Sequence, residues 1–478
     1  MPIKIHNTLS RHKEEFKPIN EGRVGIYVCG PTVYGHSHIG HAKSYVSFDV
    51  IVRYLRYIGY KVLYVQNITD VGHLTDDADE GEDKIQKQSR IDKVHPMEIV
   101  QKYTQSYFED MDALEVQRPD ISPTASGHII EQIEIVKELL TKGFAYEVNG
   151  SVYFDVSKFS EYGKLSGRSV EELIAGARVD VSPEKHHPAD FALWKKAEPG
   201  HIMQWESPWG KGYPGWHLEC SAMSTKYLGQ PFDIHGGGLE NQFPHHECEI
   251  AQSEAATGKP FVRYWIHNNM VTVNGQKMGK SLGNVINLKD AFKKYNPLVV
   301  RFFILQSHYR STLDFSDEAL QGAEKGLEKL YNTVRNIKEE FPKAKGEETN
   351  IDFDGFKGKF LEAMDDDFNT PQAIAVLFDF SREINANLAE GKMTAADLQK
   401  AHQLFKELGG IILGIIPETF QTEAKDSIES DLVNLILELR AEIRSQKLWQ
   451  LSDKIRDGLS KIGITVEDKK DGVSWKRK

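Results

Sequence analysis

The sequence predicts an α/β protein, with a Rossmann-like parallel-sheet domain, a small inserted domain and an all-α C-terminal bundle. Three observations carry this prediction. A strand–turn–helix–strand pattern lies near the N-terminus, short strand-like segments interrupt the middle of the chain, and the pattern beyond Asp317 is wholly helical. At 478 residues the chain is too long for one core, which agrees with several domains.

Composition indicates a soluble globular protein. Apolar residues make up 40% of the chain and charged residues 27%, and no stretch approaches the roughly 18 apolar residues of a membrane helix. The polar N-terminus lacks a secretory signal, and three cysteines are too few for a disulfide framework. We therefore expect a cytoplasmic protein without membrane contact. The net charge of −11 argues against indiscriminate nucleic-acid binding, but a local basic surface would suffice for one RNA partner.

The first β-α-β unit carries a histidine pair. An apolar run at 24–28 is followed by His38-Ile39-Gly40-His41, an amphipathic stretch at 43–58 and a second apolar run at 62–65. The two imidazoles fall at a helix N-terminus, where phosphate is readily held, and Gly40 lets a nucleotide approach the backbone closely. Taken alone, this pattern would also suit an ordinary helix start.

A second pattern, Lys277-Met278-Gly279-Lys280-Ser281, lies far along the chain. It places two lysines in a glycine-punctuated loop, from which they can bring positive charge to the β- and γ-phosphates of ATP. A solvated charged loop is the simpler alternative for this pattern alone. Found together and in this order, the two patterns predict an enzyme that forms an adenylate.

The remaining pattern sets the domain boundaries. Helical spacing at 93–112 and 127–142 is followed by short strands from Ala145. Alternating strand and helix patterns resume near residue 200. From Leu320 to Ile337 one apolar face persists, and further helices follow a charged linker. We predict four segments: 1–115, the first half of the catalytic domain; 116–205, the insertion; 206–316, the second catalytic half; and 317–478, a helical domain with a basic tail.

Cysteine, histidine and glutamate residues from distant segments suggest a metal site. His245 and Glu249 stand four residues apart, which places both on one helix face. Cys220 lies upstream of them, and Cys29 ends the first apolar run, just before the histidine pair. This is not a compact zinc-finger spacing, so buried thiols beside a structural histidine remain an alternative.

Longer motifs sharpen the interpretation. The histidine and lysine patterns resemble the two signature sequences of class I aminoacyl-tRNA synthetases. The motifs Cys29-Gly30-Pro31-Thr32-Val33-Tyr34, Trp216-His217-Leu218-Glu219-Cys220 and Phe243-Pro244-His245-His246-Glu247 are similar to those of the cysteinyl-tRNA synthetase family. This resemblance implies an enzyme that activates cysteine with ATP and Mg²⁺ and transfers it to tRNA(Cys).

The resemblance also assigns residues. It implies one Zn²⁺ per chain, and the zinc ligands would be Cys29, Cys220, His245 and Glu249. The amino-acid pocket would contain Thr69, Trp216 and His235. The catalytic residues would be His38, His41, Lys277 and Lys280. The ATP-binding residues would be His38, Gly40, His41, Gly236, Gly237 and Lys280. A thiolate-preferring metal would distinguish cysteine from serine without a separate editing domain.

The sequence departs from the family pattern in three places. Gly279 stands where serine is usual, which should affect closure of the lysine loop more than the type of reaction. Cys248 replaces a common asparagine, and this third thiol is a weaker candidate ligand. The segment 71–84 is longer and more acidic than usual, and its role is unassigned.

The helical C-terminal part resembles an anticodon-binding bundle. Candidates for contact with the tRNA backbone are Arg440, Arg444, Lys447, Lys454 and Arg456. Each would also suit a solvated surface charge. Trp475, in the basic tail, would either stack on an unpaired base or pack on the bundle. We expect a monomer.

Two other functions share parts of these patterns. An ATP-dependent ligase that joins cysteine to an amino sugar would have the same nucleotide and zinc sites, but such ligases tend to be shorter at the C-terminus. A non-enzymatic protein that binds zinc and tRNA would need neither the histidine pair nor the lysine pair.

Overall fold

The computed structural model describes residues 2–75, 81–167, 183–279, 282–344, 346, 349–418, 423–469 and 472–477. The chain forms two compact units, Met1–Ile416 and Pro417–Lys478, here called the N-terminal and C-terminal units. Within the described residues, no helix combines the length and apolar character needed to cross a membrane.

Secondary structure follows the predicted alternation and then becomes helical. The strands are β1 (Lys4–Asn7), β2 (His12–Glu15), β3 (Arg23–Val28), β4 (Lys61–Gln66), β5 (Ala145–Val148), β6 (Ser151–Phe154), β7 (Phe191–Lys196), β8 (Gly212–Pro214), β9 (Phe232–Gly238), β10 (Val262–Asn268), β11 (Val271–Val273), β12 (Gln276–Lys277), β13 (Leu313–Phe315), β14 (Ile464–Lys469) and β15 (Gly472–Arg477). The α-helices are α1 (Ile39–Tyr57), α2 (Lys84–Asp92), α3 (Pro96–Ala113), α4 (Ile129–Thr141), α5 (Trp216–Leu228), α6 (His245–Thr257), α7 (Leu288–Lys294), α8 (Pro297–Leu305), α9 (Asp317–Glu340), α10 (Phe353–Asp365), α11 (Thr370–Ala389), α12 (Ala395–Phe405), α13 (Glu423–Ser445) and α14 (Trp449–Lys461).

A four-stranded parallel sheet forms the centre of the N-terminal unit. Its strand order is β10-β9-β3-β4, and Ile26 of β3 pairs with Ile234 on one side and Tyr64 on the other. The strands are mostly buried because helices cover them, as parallel sheets require. Since β3 and β9 are neighbours, the residues that follow their carboxyl ends meet at one edge. The predicted α/β fold is confirmed.

The first crossover helix begins at the histidine pair, where the sequence analysis placed a helix N-terminus. The amphipathic stretch was predicted from residue 43, and α1 begins at Ile39. The reason is the cap: the His38 side chain accepts a hydrogen bond from the Gly40 backbone N–H, so the turn before the apolar face is already helical.

An antiparallel sheet, β5-β6-β7-β8, interrupts the chain between β4 and β9. Phe154, Phe191 and Trp194 belong to its buried core, which is continuous with Val136 of α4 and Ala251 of α6. Strand β8 ends at Pro214, beyond the predicted limit of the insertion at residue 205. It carries the chain directly into α5, and thus into the metal cluster.

Helices α9 to α12 and a π-helix at Lys406–Ile412 complete the N-terminal unit. The fully buried Arg301 of α8 joins these helices to the sheet layer. Its Nε donates to the Leu413 carbonyl at 2.8 Å, and its guanidinium pairs with the Asp49 carboxylate of α1 at 2.5 Å. Breaking such a buried pair is costly, so the helices up to Ile416 are firmly attached to the parallel-sheet layer.

The C-terminal unit contains α13, α14 and a β14-β15 hairpin that the sequence analysis did not predict. Val433, Leu437, Leu459 and Ile464 form its core, and the partly buried Trp475 packs against them. The Trp475 indole N–H donates to Asn434 Oδ1 at 3.1 Å. Packing on the unit is therefore the observed role of this side chain.

The prediction for Arg440 is wrong. Its side chain is buried, and its Nε lies 3.4 Å from the Ser452 carbonyl at the start of α14. A buried guanidinium cannot reach a phosphate backbone. Lys447, Lys454 and Arg456 are exposed and Arg444 is partly buried, so these four stay predictions.

Candidate active site

The histidine turn lies between β3 and α1, where the sequence analysis placed it. The His38 Nδ1 accepts from the Gly40 N–H at 3.1 Å, and the His41 Nδ1 accepts from the His38 N–H at 3.1 Å. The two rings stack with centroids 3.8 Å apart. Because each Nδ1 is an acceptor, each neutral ring carries its proton on Nε2. The turn therefore presents two neutral imidazole donors at a helix N-terminus.

The lysine loop lies against this turn. Residues after the loop pair with the histidine turn, since the Ile39 N–H donates to the Ile286 carbonyl at 3.0 Å and the Leu288 N–H donates to the Ser37 carbonyl at 2.9 Å. A Cβ atom added to Gly40 would lie 3.2 Å from the Met278 Cε. The fold thus brings the two distant signature sequences together.

The Asn284 side chain closes the described part of the lysine loop. Its Oδ1 accepts from the Gly279 N–H at 2.9 Å, and its Nδ2 donates to the Lys277 carbonyl at 3.1 Å. Lys277 is exposed. Lys280, the other predicted catalytic lysine, lies outside the described residues.

The four predicted metal ligands converge from three elements. Cys29 follows β3, Cys220 lies on α5, and His245 and Glu249 lie on α6. Their ligand atoms all lie within 4.8 Å of one another, and all four residues are buried. The two sulfur atoms are 3.9 Å apart, and the His245 Nε2 is 3.2 Å from the Glu249 Oε1. The cluster could hold a metal ion.

Further histidines surround this cluster, and the sequence analysis did not single all of them out. A second overlapping set that could hold a metal replaces Cys220 and His245 with His235 and His246. His235 Nε2 is 2.8 Å from Glu249 Oε2, while His246 Nε2 is 3.2 Å from Cys29 Sγ. The His245-His246-Glu247 run was the available signal for His246, which also shares a helix face with Glu249 at i, i+3, but the sequence analysis used only the i, i+4 relation of His245.

Burial sets the protonation of the cluster. It raises the pKa of the Cys29 thiol to about 11 and that of Cys220 well above its ordinary value. It also lowers the pKa of His246 well below the ordinary histidine value, with the neighbouring His235 adding to the effect. The neutral forms of the Cys29 and Cys220 thiols and of the His246 imidazole are therefore favoured, and a bound cation would reverse this preference for the thiols.

The donor set suits zinc. Two thiol sulfurs, an imidazole nitrogen and a carboxylate oxygen are the ligand types that this ion prefers. A hard cation such as Mg²⁺ would select oxygen atoms instead. The residues present therefore fit the implied metal.

Three predicted pocket residues surround the metal cluster. The Trp216 ring stacks on His245, with centroids 4.4 Å apart. The Thr69 hydroxyl donates to the Glu219 carboxylate at 2.5 Å. His235, the third, contacts Glu249 as described above. Glu219 is a buried carboxylate that the sequence analysis did not assign, and burial raises its pKa well above the ordinary value.

The glycines of β9 are fixed by packing. A Cβ atom on Gly236 would overlap the Phe48 ring, and one on Gly237 would lie 2.8 Å from the His246 Cε1. These contacts explain why glycine is needed at both positions, while their role in ATP binding stays a prediction.

Cys248 lies outside both possible metal sets. Its Sγ is 3.4 Å from the Tyr162 hydroxyl, and the side chain belongs to the apolar core shared with the insertion. On the helix, its side chain is offset by about 100° from that of Glu249.

Comparison with known proteins identifies the family. Residues 15–325 match the family described as the tRNA synthetases class I (C) catalytic domain, and residues 359–417 match the DALR domain. The chain belongs to the class I (C) tRNA synthetases. A cysteine--tRNA ligase of Chlorobaculum tepidum is 59% identical over 100% of this chain and 99% of its own length. The Thermus thermophilus cysteine--tRNA ligase is 52% identical, with the same coverage of both chains.

Solved structures agree on the fold of this class I (C) synthetase. Mycobacterium tuberculosis methionyl-tRNA synthetase in complex with methionyl-adenylate matches with a TM-score of 0.61 and 14% identity, covering 83% of this chain and 92% of that chain. The leucyl enzyme of Agrobacterium radiobacter matches with a TM-score of 0.60 and 13% identity, covering 83% and 84%.

Proposed function

We propose that this class I (C) synthetase is a cysteine--tRNA ligase. The cysteine carboxylate attacks the α-phosphorus of ATP, forming cysteinyl-adenylate and releasing pyrophosphate. A hydroxyl of the terminal ribose of tRNA(Cys) then attacks the acyl carbon and releases AMP. One observation carries the proposal: the strand–turn–helix unit that holds the histidine pair also supplies Cys29 to a buried two-thiol cluster.

The histidine turn would act on the phosphates. With its proton on Nε2, each of His38 and His41 can donate to a phosphoryl oxygen whose charge increases in the transition state. Lys277 and Lys280 would neutralise the β- and γ-phosphates with Mg²⁺ and hold the leaving pyrophosphate. The position of Met278 beside Gly40 supports these roles, because it brings the lysine loop next to the histidine turn.

The metal cluster would recognise the amino acid. Cys29, Cys220, His245 and Glu249 would hold one Zn²⁺, which, when bound, favours a thiolate over the oxygen of a serine side chain. Trp216 would form a wall of the pocket, and Thr69 would orient the substrate from a hydroxyl that Glu219 fixes. His235 would hold the Glu249 carboxylate in place.

The helical part of the chain would bind tRNA. The match to the DALR domain and the exposed cations of the C-terminal unit support this proposal. A cytoplasmic location belongs to the same proposal, since tRNA charging serves cytoplasmic protein synthesis, and the monomeric state stays a prediction.

The amino-sugar ligase is not supported. The matching relatives are named cysteine--tRNA ligases and align over 99% of their own lengths, including the helical C-terminus. A protein that only bound zinc and tRNA would not need the paired signature sequences.

Pyrophosphate exchange with each amino acid in turn, followed by charging of bulk tRNA, tests the proposal. We expect exchange with cysteine, little with serine, and transfer of cysteine to tRNA. Chelation of zinc should abolish the preference for cysteine. Exchange without charging would support the amino-sugar ligase instead, and absence of exchange would contradict every adenylate-forming function.

A further inference from the structure

The acidic segment 71–84, which the sequence analysis left unassigned, has an ordered base in its described residues, 71–75 and 81–84. Leu74 pairs with Asp83 in an antiparallel bridge. The Asp83 carboxylate accepts from the Gly72 N–H at 2.8 Å and from the Ile85 N–H at 2.9 Å, which also caps α2. The two arms of the segment are thus joined to each other and to a helix.

This base packs against the start of α5. Gly72 adopts a φ of +84°, and a Cβ atom there would lie 2.5 Å from the Pro214 carbonyl oxygen. Only glycine allows both this conformation and this approach. The next residue, His73, is consequently placed over Trp216, and the two rings stack with centroids 3.8 Å apart and planes at 8°.

Hydrogen bonds fix the His73 ring at both nitrogens. The Lys84 ammonium has only donors, so the His73 Nε2, 2.6 Å away, must accept. The proton then lies on Nδ1, which donates to the Thr32 hydroxyl at 2.6 Å. His73 is only 8% exposed. Two hydrogen bonds and one stacked face leave this ring little freedom to rotate.

Trp216 connects this arrangement to the metal cluster, because its ring also stacks on His245, a proposed zinc ligand. A contiguous series of contacts therefore runs from Lys84 through His73 and Trp216 to the cluster. An indole in contact with two imidazoles has fewer accessible rotamers than one with a single neighbour.

We propose that His73 is a positioning residue that holds the Trp216 ring in the orientation required by the cysteine pocket. The base of segment 71–84 is then a part of that pocket. The inference rests on the proposed function, since Trp216 is a pocket residue only if the chain activates cysteine. The contacts that fix His73 are with Thr32, Lys84 and Trp216, so we expect its replacement to act through Trp216 on amino-acid binding.

Four full-length variants test this role by pyrophosphate exchange. His73→Ala removes the stacked ring, His73→Phe keeps a flat ring without hydrogen bonds, and Lys84→Met removes the donor. Lys87→Met, at an exposed position on the same helix, is the matched control. KM for cysteine, KM for ATP, kcat and zinc content are measured for each.

We expect His73→Ala to raise KM for cysteine about tenfold, with kcat and KM for ATP within about twofold of the unaltered protein. His73→Phe should recover most of this loss, Lys84→Met should raise KM for cysteine about threefold, and Lys87→Met should have no effect. Zinc content and the preference for cysteine over serine should not change, because thiol recognition belongs to the metal cluster.

The inference is overturned if His73→Ala leaves KM for cysteine unchanged, if KM for ATP rises in parallel, or if zinc is lost. If His73→Ala does not fold, a Lys84→Met variant identical to Lys87→Met, or a His73→Phe variant without cysteine-dependent exchange, overturns it equally. Absence of exchange in the unaltered protein would instead reject the proposed function, and this inference with it.

Discussion

At the scale of single residues, local hydrogen bonds decide which atoms the site presents. The backbone N–H groups of His38 and Gly40 donate to the two Nδ1 atoms of the histidine turn, which puts the proton of each ring on Nε2. The same logic fixes His73, where a lysine donor determines the tautomer. Residue type alone does not reveal these protonation states, because an isolated imidazole can carry its proton on either nitrogen.

Two buried cysteines on neighbouring helices allow a matched test of the zinc assignment. We expect Cys220→Ala to reduce zinc from about one ion per chain to a small fraction of that, because one of four ligands is lost. Cys248→Ala should keep its zinc, since that thiol lies outside both possible sets. Elemental analysis of the purified variants measures this directly. Equal loss of zinc from both variants would contradict the ligand assignment.

Lys43 of α1 should give the protein a distinctive pH response. Burial lowers its pKa from 10.5 to about 8. Between these values the unfolded chain binds the proton more strongly than the folded chain, so the contribution of Lys43 to stability rises with pH over that window. The full change is on the order of 3 kcal/mol.

Lys43→Met removes this response. Its melting temperature relative to the unaltered protein should fall as pH increases from 8 to 10.5. Lys259→Met, at an exposed position, is the control. Its melting temperature relative to the unaltered protein should not change with pH. If the melting-temperature difference between Lys43→Met and the unaltered protein is also independent of pH, the buried lysine does not change its protonation on unfolding.

At the scale of elements, the buried strands of the parallel sheet were easier to predict than the strands near the C-terminus. The apolar runs at 24–28 and 62–65 lie within β3 and β4, because strands buried on both faces need continuous apolar sequence. The start of α1 at the histidine pair agrees with the predicted helix N-terminus, although the amphipathic pattern itself was recognised only from residue 43. The β14-β15 hairpin was missed because its basic, polar tail suggested a solvated end.

The lysine loop is the element whose geometry should most affect turnover. Asn284→Ala removes two hydrogen bonds that close the loop, which should lower kcat for pyrophosphate exchange about tenfold. KM for cysteine should hardly change, because the pocket lies elsewhere. Leu282→Ala, at a 61% exposed position of the same loop, is the control. A rise in KM for cysteine with normal kcat would show that the loop acts on the amino acid instead.

At the scale of the whole molecule, the two compact units suggest separable activities. A chain that ends at Ile416 keeps the parallel sheet, the metal cluster and all but the last residue of the DALR domain match. We expect it to retain cysteine-dependent exchange while kcat/KM for tRNA falls about 100-fold, equivalent to about 3 kcal/mol of lost transition-state binding. Filter-bound aminoacylation measures the second activity. Undiminished charging would show that the C-terminal unit makes no essential tRNA contact.

The linear order of motifs determined the fold class and the reaction. Paired signature sequences and strand periodicity are local properties, so they can be recognised from the sequence alone. The same holds for the i, i+4 relation of His245 and Glu249. The assembly of Cys29 and Cys220 with that helix was predicted only through family resemblance.

Only the tertiary structure decided which distant side chains meet. It added His246 and Glu219 to the surroundings of the metal cluster, buried Arg440, and placed His73 against Trp216. Each of these results depends on packing between segments far apart in the chain. Sequence periodicity records which face of an element is buried, whereas the partner across that face is set by the whole fold.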